Sequence, residues 1–381
     1  MDLSGRKILI TGASGFVGSR LCERLYLGSD AKPTALIRNI GKASRIGRMR
    51  IPMIKGDVLD PVLMDRLIGE AEIVIHLVAG SRQSIVDGTR LVARLCRKHN
   101  VARFVHMSSA AVYGIQANED HTTEDAQLKK TGNPYSDAKI EAEKIVRKET
   151  EKGLSSVVLR PRIIWGPYSS WVQSLYHQVA NDSFCLVDNG EGACNTIYID
   201  NLVDATLLSI ENDRAVGNVF FVTDDEKVSW REFYGRWASF LGQEIRFLSV
   251  DSAGDSSSGK KPGLLRETKA FLSSPAWKTL LLEAPGLNRI SKRAFGYISN
   301  LPDHKKIWIK DWLGVDRPEK NLKHRKDSLV SLDPARIQRE SGRGYTNIEK
   351  IKTRIGYRPR VDFRAGSELT REWLAFAGFL G

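Results

Sequence analysis

The chain has 381 residues, 41% hydrophobic, 8% aromatic and 27% charged, the make-up of a globular protein with room for one large domain or two medium ones. Its 58 Lys and Arg against 45 Asp and Glu give a formal charge of +13, which favours an anionic ligand such as a dinucleotide, nucleotide sugar, CoA or lipid headgroup. Cys22, Cys96, Cys185 and Cys194 form no C-x-x-C pair, no histidine spacing suits a metal, and no apolar run reaches the ~18 residues of a membrane span, which argues against a disulfide framework, a metal centre and a transmembrane protein.

The opening MDLSGR runs directly into a strand, Lys7–Ile10, without the apolar stretch of a signal peptide, so a reducing, cytoplasmic setting is expected. The strand ends at Thr11-Gly12-Ala13-Ser14-Gly15-Phe16-Val17-Gly18, after which apolar residues recur at helical spacing (Phe16, Val17, Leu21, Leu25) until Gly28. Strand, glycine turn and helix form the context a dinucleotide fingerprint needs. Gly12 permits the tight turn, Gly15 lets backbone approach a pyrophosphate, and Gly18 lets the helix pack close to the strand. The helix start then offers free N–H groups and partial positive charge to phosphate, with Ser14, Phe16 and Val17 in the same turn.

A second strand, Thr34–Ile37, ends at Arg38, 20 residues after Gly18. An acid at about this position holds the ribose 2′-hydroxyl of NAD, whereas an arginine suits the 2′-phosphate of NADP, so NADP is expected over NAD. Lys42 and Arg45 add charge nearby. Met53–Ile54 leads into Gly56-Asp57-Val58, where Asp57 is placed either to hold an adenine amine or to cap its own turn. Ile73–Val78 and Phe104–Met107 read as further strands, with helices over Asp60–Leu67 and Thr89–Lys98 between them. Strands alternating with amphipathic helices predict an α/β fold with a doubly wound parallel sheet.

Asn133-Pro134-Tyr135-Ser136-Asp137-Ala138-Lys139 opens a helix to about Glu151, with Gly153 as its stop. Tyr135 and Lys139 are i and i+4, on one helix face. A phenol of pKa about 10 is a poor base at neutral pH, and a neighbouring ammonium favours its phenolate, so the pair suits proton exchange with a hydroxyl or carbonyl. Ser108-Ser109-Ala110-Ala111-Val112-Tyr113-Gly114 follows a strand, where parallel sheets bind ligands, and Ser109 is placed to hydrogen-bond the reacting oxygen.

Taken in order, TGASGFVGSRL, GDVLD, VIHLVAG, FVHMSSAAVYG, NPYSDAKIEAE, VVLRPRIIWGP, TIYIDNLVDA and the late IEKIKTRIGYRPRVDF resemble the motifs of the extended short-chain dehydrogenase/reductase family. The resemblance is dense over residues 1–212 and returns at about 345–375. It implies a Rossmann domain over 1–166, rejoined by 196–212, and a smaller, mostly helical substrate domain from 167–195 and 213–381. It implies a catalytic set of Ser109, Tyr135 and Lys139, with Lys139 also on the nicotinamide ribose. Leu77, Val78 and Ala79 would line the cofactor, and Pro161 to Ile164 would pass beside the nicotinamide.

Within that family, sugar-nucleotide 4,6-dehydratases carry an Asp-Glu pair where this chain has Ala110-Ala111, so that elimination is not expected. Epimerases commonly carry an arginine for the diphosphate where this chain has Cys194-Asn195. NTIYIDNLVDA and LRPRIIWGP are more similar to the 3β-hydroxysteroid dehydrogenase and dihydroflavonol reductase side, which interconverts secondary alcohols and ketones on bulky substrates. Trp165, Tyr168 and Trp171 either line such a pocket or pack beneath it. The leading expectation is thus an NAD(P)-dependent oxidoreductase; the alternatives are a nucleotide-sugar epimerase with retained NAD and a non-catalytic dinucleotide-binding regulator.

Asp251–Gly259 reads as a linker. From Lys260 to Lys326 there are 16 Lys or Arg against 6 Asp or Glu, interleaved with Leu, Phe, Trp and Tyr. Such a basic amphipathic insertion suits a lid over the pocket, a contact with an anionic membrane surface at its inner face, or a homodimer interface. No nucleic-acid motif accompanies the charge, so a nucleic-acid partner is not expected.

Overall fold

The computed structural model describes residues 1–114, 123–180, 185–242, 248–250 and 334–380. Strand β1 (Lys7–Thr11) is followed by α1 (Phe16–Gly28), β2 (Lys32–Ile37), β3 (Met53–Lys55), α2 (Pro61–Gly69), β4 (Ile73–His76), α3 (Arg82–Lys98), β5 (Arg103–Met107), α4 (Pro134–Thr150) and β6 (Ser156–Pro161). Beyond these come β7 (Ile163–Trp165), α5 (Ser170–Ala180), β8 (Cys185–Val187), β9 (Thr196–Tyr198), α6 (Ile199–Glu211), β10 (Val219–Val222), α7 (Trp230–Phe240) and β11 (Leu248–Val250). Helices Pro334–Glu340, Glu349–Ile355 and Phe363–Phe376 end the described chain.

Seven strands form one sheet in the order β3-β2-β1-β4-β5-β6-β10. Every neighbouring pair is parallel. Strands this apolar must be covered on both faces. Ile8 and Ile10 pack with Leu21, Leu25, Leu202 and Val203 from α1 and α6. Leu9, Val74 and Phe104 pack with Met64, Val92, Cys96 and Val146 from α2, α3 and α4. The result is a three-layer Rossmann-like fold whose strand order reverses between β1 and β4, the place where such sheets bind ligands.

Helix starts follow the local chemistry. Asp60 accepts hydrogen bonds from the Val62 and Leu63 amides, with Pro61 in the first turn. Asn133 caps α4 in the same way ahead of Pro134. Helix α3 starts at Arg82, not at Thr89 as expected, because Ser81 caps it through the Ser84 amide. Gly88 lies inside that helix, where a Cβ would come within 2.9 Å of Val58 Cγ2. The strand expected to reach Val78 ends at His76. The sheet's outer strand, β10, comes from residues past 212 and has only four members.

A second core is aromatic. Trp165 is fully buried against Tyr198, Phe233, Trp237 and Phe363. Trp171 packs on Trp230 and Phe233. Both tryptophans therefore serve packing, whereas Tyr168 is 42% exposed, tilted against Trp373 with the Arg45 guanidinium over its ring. Buried Asp224 joins this core to the end of the chain. Its carboxylate accepts from the Tyr198 amide, Thr196, Trp165 and Asn201, and Asn201 in turn accepts from the Arg360 and Val361 amides. The linker at 251–259 and the basic insertion at 260–326 lie outside the described residues. Among the described residues, no helix is long and apolar enough to cross a membrane, and no His, Cys, Asp and Glu cluster could hold a metal.

Candidate active site

The glycine turn is built as its spacing requires. Gly12 adopts φ +73°, and a Cβ on it would stand 3.0 Å from the Leu77 carbonyl oxygen. A Cβ on Gly18 would stand 2.4 Å from the Gly12 carbonyl oxygen and 2.7 Å from Ala13 Cα, so α1 can cross the strand this closely only with glycine. Gly15 caps α1 with its backbone alone. The first amides of the helix therefore face the turn without intrahelical acceptors.

In front of the turn lies a cavity of about 500 Å³ lined by Gly12, Ser14, Gly15, Val58, Leu77, Val78 and Ala79. Arg38, Asn39 and Lys42 line its side at the end of β2, and Leu36, Gly56 and Ser84 complete it. Its volume, its glycine floor and its cationic side fit a nucleotide cofactor. Arg38 is exposed and forms no ion pair among the described residues. Asp57 does not line the cavity: its carboxylate accepts the Leu59 amide, the local turn role. Phe16, Val17, Pro161 and Ile164 do not line it either. Phe16, Val17 and Ile164 pack against the aromatic core, and Pro161 ends β6 beside Val222.

Ser109 follows β5 and caps a short 3-10 turn, Ala110–Tyr113, by accepting the Ala111 amide at 3.2 Å. Tyr135 stands in the first turn of α4, 40% exposed, with the Ser109 side chain beside its hydroxyl. Burial raises the phenol pKa, and the neighbouring Ser109 side chain opposes that rise. Lys139 is buried, and its Nζ donates to the carbonyl oxygens of Met107, at 2.8 Å, and Val78, at 3.2 Å. Burial lowers its pKa to about 8, with the Glu143 carboxylate pulling the other way.

The structure thus brings Ser109, Tyr135 and Lys139 together at the C-terminal ends of β4 and β5. The ammonium of Lys139 lies 6.0 Å from the centre of the Tyr135 ring and donates to two backbone carbonyls. Sequence reasoning passed over Ser108, Glu143 and Arg160, which form a buried network under these residues. The available signal was Glu143 at i+4 from Lys139, on the same helix face.

A model of the NAD dependent epimerase/dehydratase family matches residues 8–222, and the chain belongs to that family. The chain is 30% identical over 258 residues to a 2-alkyl-3-oxoalkanoate reductase of Stenotrophomonas maltophilia, covering 62% of this chain and 76% of the relative. It is 24% identical over 397 residues to a decarboxylating sterol-4-alpha-carboxylate 3-dehydrogenase of Saccharomyces cerevisiae, covering 96% of this chain and 97% of the relative. Its fold matches that of UDP-glucuronic acid 4-epimerase from Bacillus cereus in complex with NAD, with a TM-score of 0.65 at 18% identity over 97% of this chain and 99% of the other. The protein is an enzyme of the extended short-chain dehydrogenase/reductase type, with reductases, dehydratases and epimerases among its relatives.

Proposed function

We propose that this protein is an NADP(H)-linked oxidoreductase interconverting a secondary alcohol and a ketone. The observation that carries the reading is the convergence of Ser109, Tyr135 and Lys139 at the strand ends of a sheet whose glycine turn floors a nucleotide-sized cavity. Bound nicotinamide supplies or accepts the hydride. The chain's own residues handle the proton: Tyr135 Oη donates it to the nascent alkoxide in reduction and takes it back in oxidation, while Ser109 holds the phenol. Lys139 binds the nicotinamide ribose with the amine now engaged by two carbonyls.

Arg38, Asn39 and Lys42 at the cavity's side favour a 2′-phosphate, because an arginine fork pairs with phosphate in a way a ribose hydroxyl does not need. The residues after Ser109 are Ala110 and Ala111, so no carboxylate stands there to assist a dehydratase's elimination. The names of two relatives share a chemical feature that narrows the substrate. A 3-oxoalkanoate and a sterol 4-carboxylate oxidised at position 3 both place the oxygenated carbon next to the carbon bearing a carboxylate. A 3-hydroxy or 3-oxo carboxylate on a large apolar body is the substrate class that follows.

The test is to denature the purified protein, identify any released nicotinamide, and titrate the emptied protein with NADPH and NADH. Exchangeable binding with an NADPH preference is the expected result. Stoichiometric, tightly held NAD would overturn the reading in favour of an epimerase, which regenerates its cofactor in every cycle.

A further inference from the structure

One turn beyond Lys139, on the α4 face that also carries Tyr135, stands the buried carboxylate of Glu143. Arg160 on β6 donates to it from Nη2 at 2.6 Å and from Nε at 2.9 Å, and the Ser108 hydroxyl, next to Ser109, donates to it as well. Arg160 also donates to the Tyr113 hydroxyl, which donates in turn to the Glu124 carbonyl at 2.8 Å. The Glu124 carboxylate accepts the Phe221 amide of β10 at 2.8 Å. A single buried acid is therefore joined to the serine turn, the next strand of the sheet and the segment leading towards α4.

A buried ion pair is a weak stabiliser, since desolvating two charges offsets most of their attraction. Its geometry here has a different consequence. Ser109 lies in the turn that follows β5, whereas Tyr135 and Lys139 come from α4, and Glu143 bridges that turn and that helix. We propose that Glu143 is a positioning residue: through Ser108 and Arg160 it sets the spacing of the serine turn from the Tyr135 and Lys139 face, and it stands as the counter-charge to the Lys139 amine. This rests on Lys139 being a cofactor ligand.

The groups facing Lys139 are Tyr135 and Glu143 on its own helix and, from β4 and β5, His76 and His106, both held neutral by burial. Glu143 is thus the facing group that favours the ammonium, against burial that disfavours it. Without the carboxylate, Lys139 loses its proton at lower pH.

Cofactor binding reads this without any turnover. In the full-length protein, NADPH affinity, followed by fluorescence titration, should weaken as pH rises through about 8, where Lys139 loses its charge. Lys139→Met should abolish that pH dependence. Glu143→Gln should move it to lower pH by about one unit, and Glu143→Asp, which keeps the charge, should restore most of the shift. If Glu143→Gln does not fold, Glu143→Gln with Arg160→Met leaves no orphaned charge and should shift the same way. A merely structural role would weaken binding at every pH without moving the transition. An unmoved transition beside an abolished one in Lys139→Met overturns the role of Glu143. A transition retained in Lys139→Met overturns the reading of Lys139 on which it rests.

Discussion

The ammonium of Lys139, one helical turn from Tyr135, lies 6.0 Å from the centre of the phenol ring, and the Ser109 side chain stands beside the phenol hydroxyl. The lysine is tethered to the Met107 and Val78 carbonyls, at the ends of β5 and β4. In the proposed reaction Tyr135, with Ser109 beside it, handles the proton, while Lys139 is held by the sheet's strand ends. Replacing Tyr135 by Phe removes the proton donor and little else. Turnover should fall by about 10²- to 10⁴-fold with NADPH affinity nearly unchanged, read by steady-state rates and fluorescence titration. Full retained activity would contradict the assignment.

Arg38 meets the cavity from the end of β2 with no acidic partner among the described residues. A charge-assisted bond to a phosphate contributes about 1.5–3 kcal/mol, so Arg38→Ala should weaken NADPH roughly ten- to a hundred-fold and NADH hardly at all. Equal losses for both cofactors would remove the 2′-phosphate role.

Gly18 is the tightest point of the glycine turn, where an added Cβ would meet the Gly12 carbonyl oxygen at 2.4 Å. Both neighbours are backbone, so neither can swing aside. Gly18→Ala should cost about 1–3 kcal/mol of stability by denaturant unfolding and should also weaken dinucleotide binding, because α1 must move away from the strand. An unaltered midpoint would show that the helix has slack there.

His76 and His106 stack across β4 and β5 with ring centres 5.7 Å apart. Burial lowers the His76 pKa to about 3 and holds His106 well below its ordinary value. In the unfolded chain both titrate near 6.5, so below that pH the unfolded state binds more protons than the folded one. Stability should be full above about pH 6.5 and fall as pH drops, by about 1.4 kcal/mol per pH unit for each histidine. Urea midpoints measured across that range should show a shallower slope in His106→Leu. An unchanged slope would mean that His106 is already protonated in the fold.

What could be read from the sequence was local. The glycine turn, the Tyr135–Lys139 pair and the capped start of α4 are each set by residues within about two helical turns, so spacing alone shows them. The tie between Glu143 and Arg160 spans 17 residues and joins a helix to a strand, and no periodicity announces it. The start of α3 is set by the Ser81 cap on the Ser84 amide, which the helical spacing over Thr89–Lys98 does not show. Strand β10 has four residues and owes its place to pairing with β6. Asp57 illustrates a choice that spacing leaves open: its carboxylate satisfies the turn before α2 and stays out of the cavity.

Net redox chemistry at Tyr135 is tested most directly by a coupled balance of cofactor and product. A 3-oxo carboxylate with a long alkyl body is incubated with NADPH and the protein, and NADPH consumed is compared with alcohol formed. One NADPH lost per alcohol in the wild type, with loss of both in Tyr135→Phe, is the predicted result. No cofactor consumption, together with interconversion of nucleotide-sugar epimers by the same preparation, would contradict it.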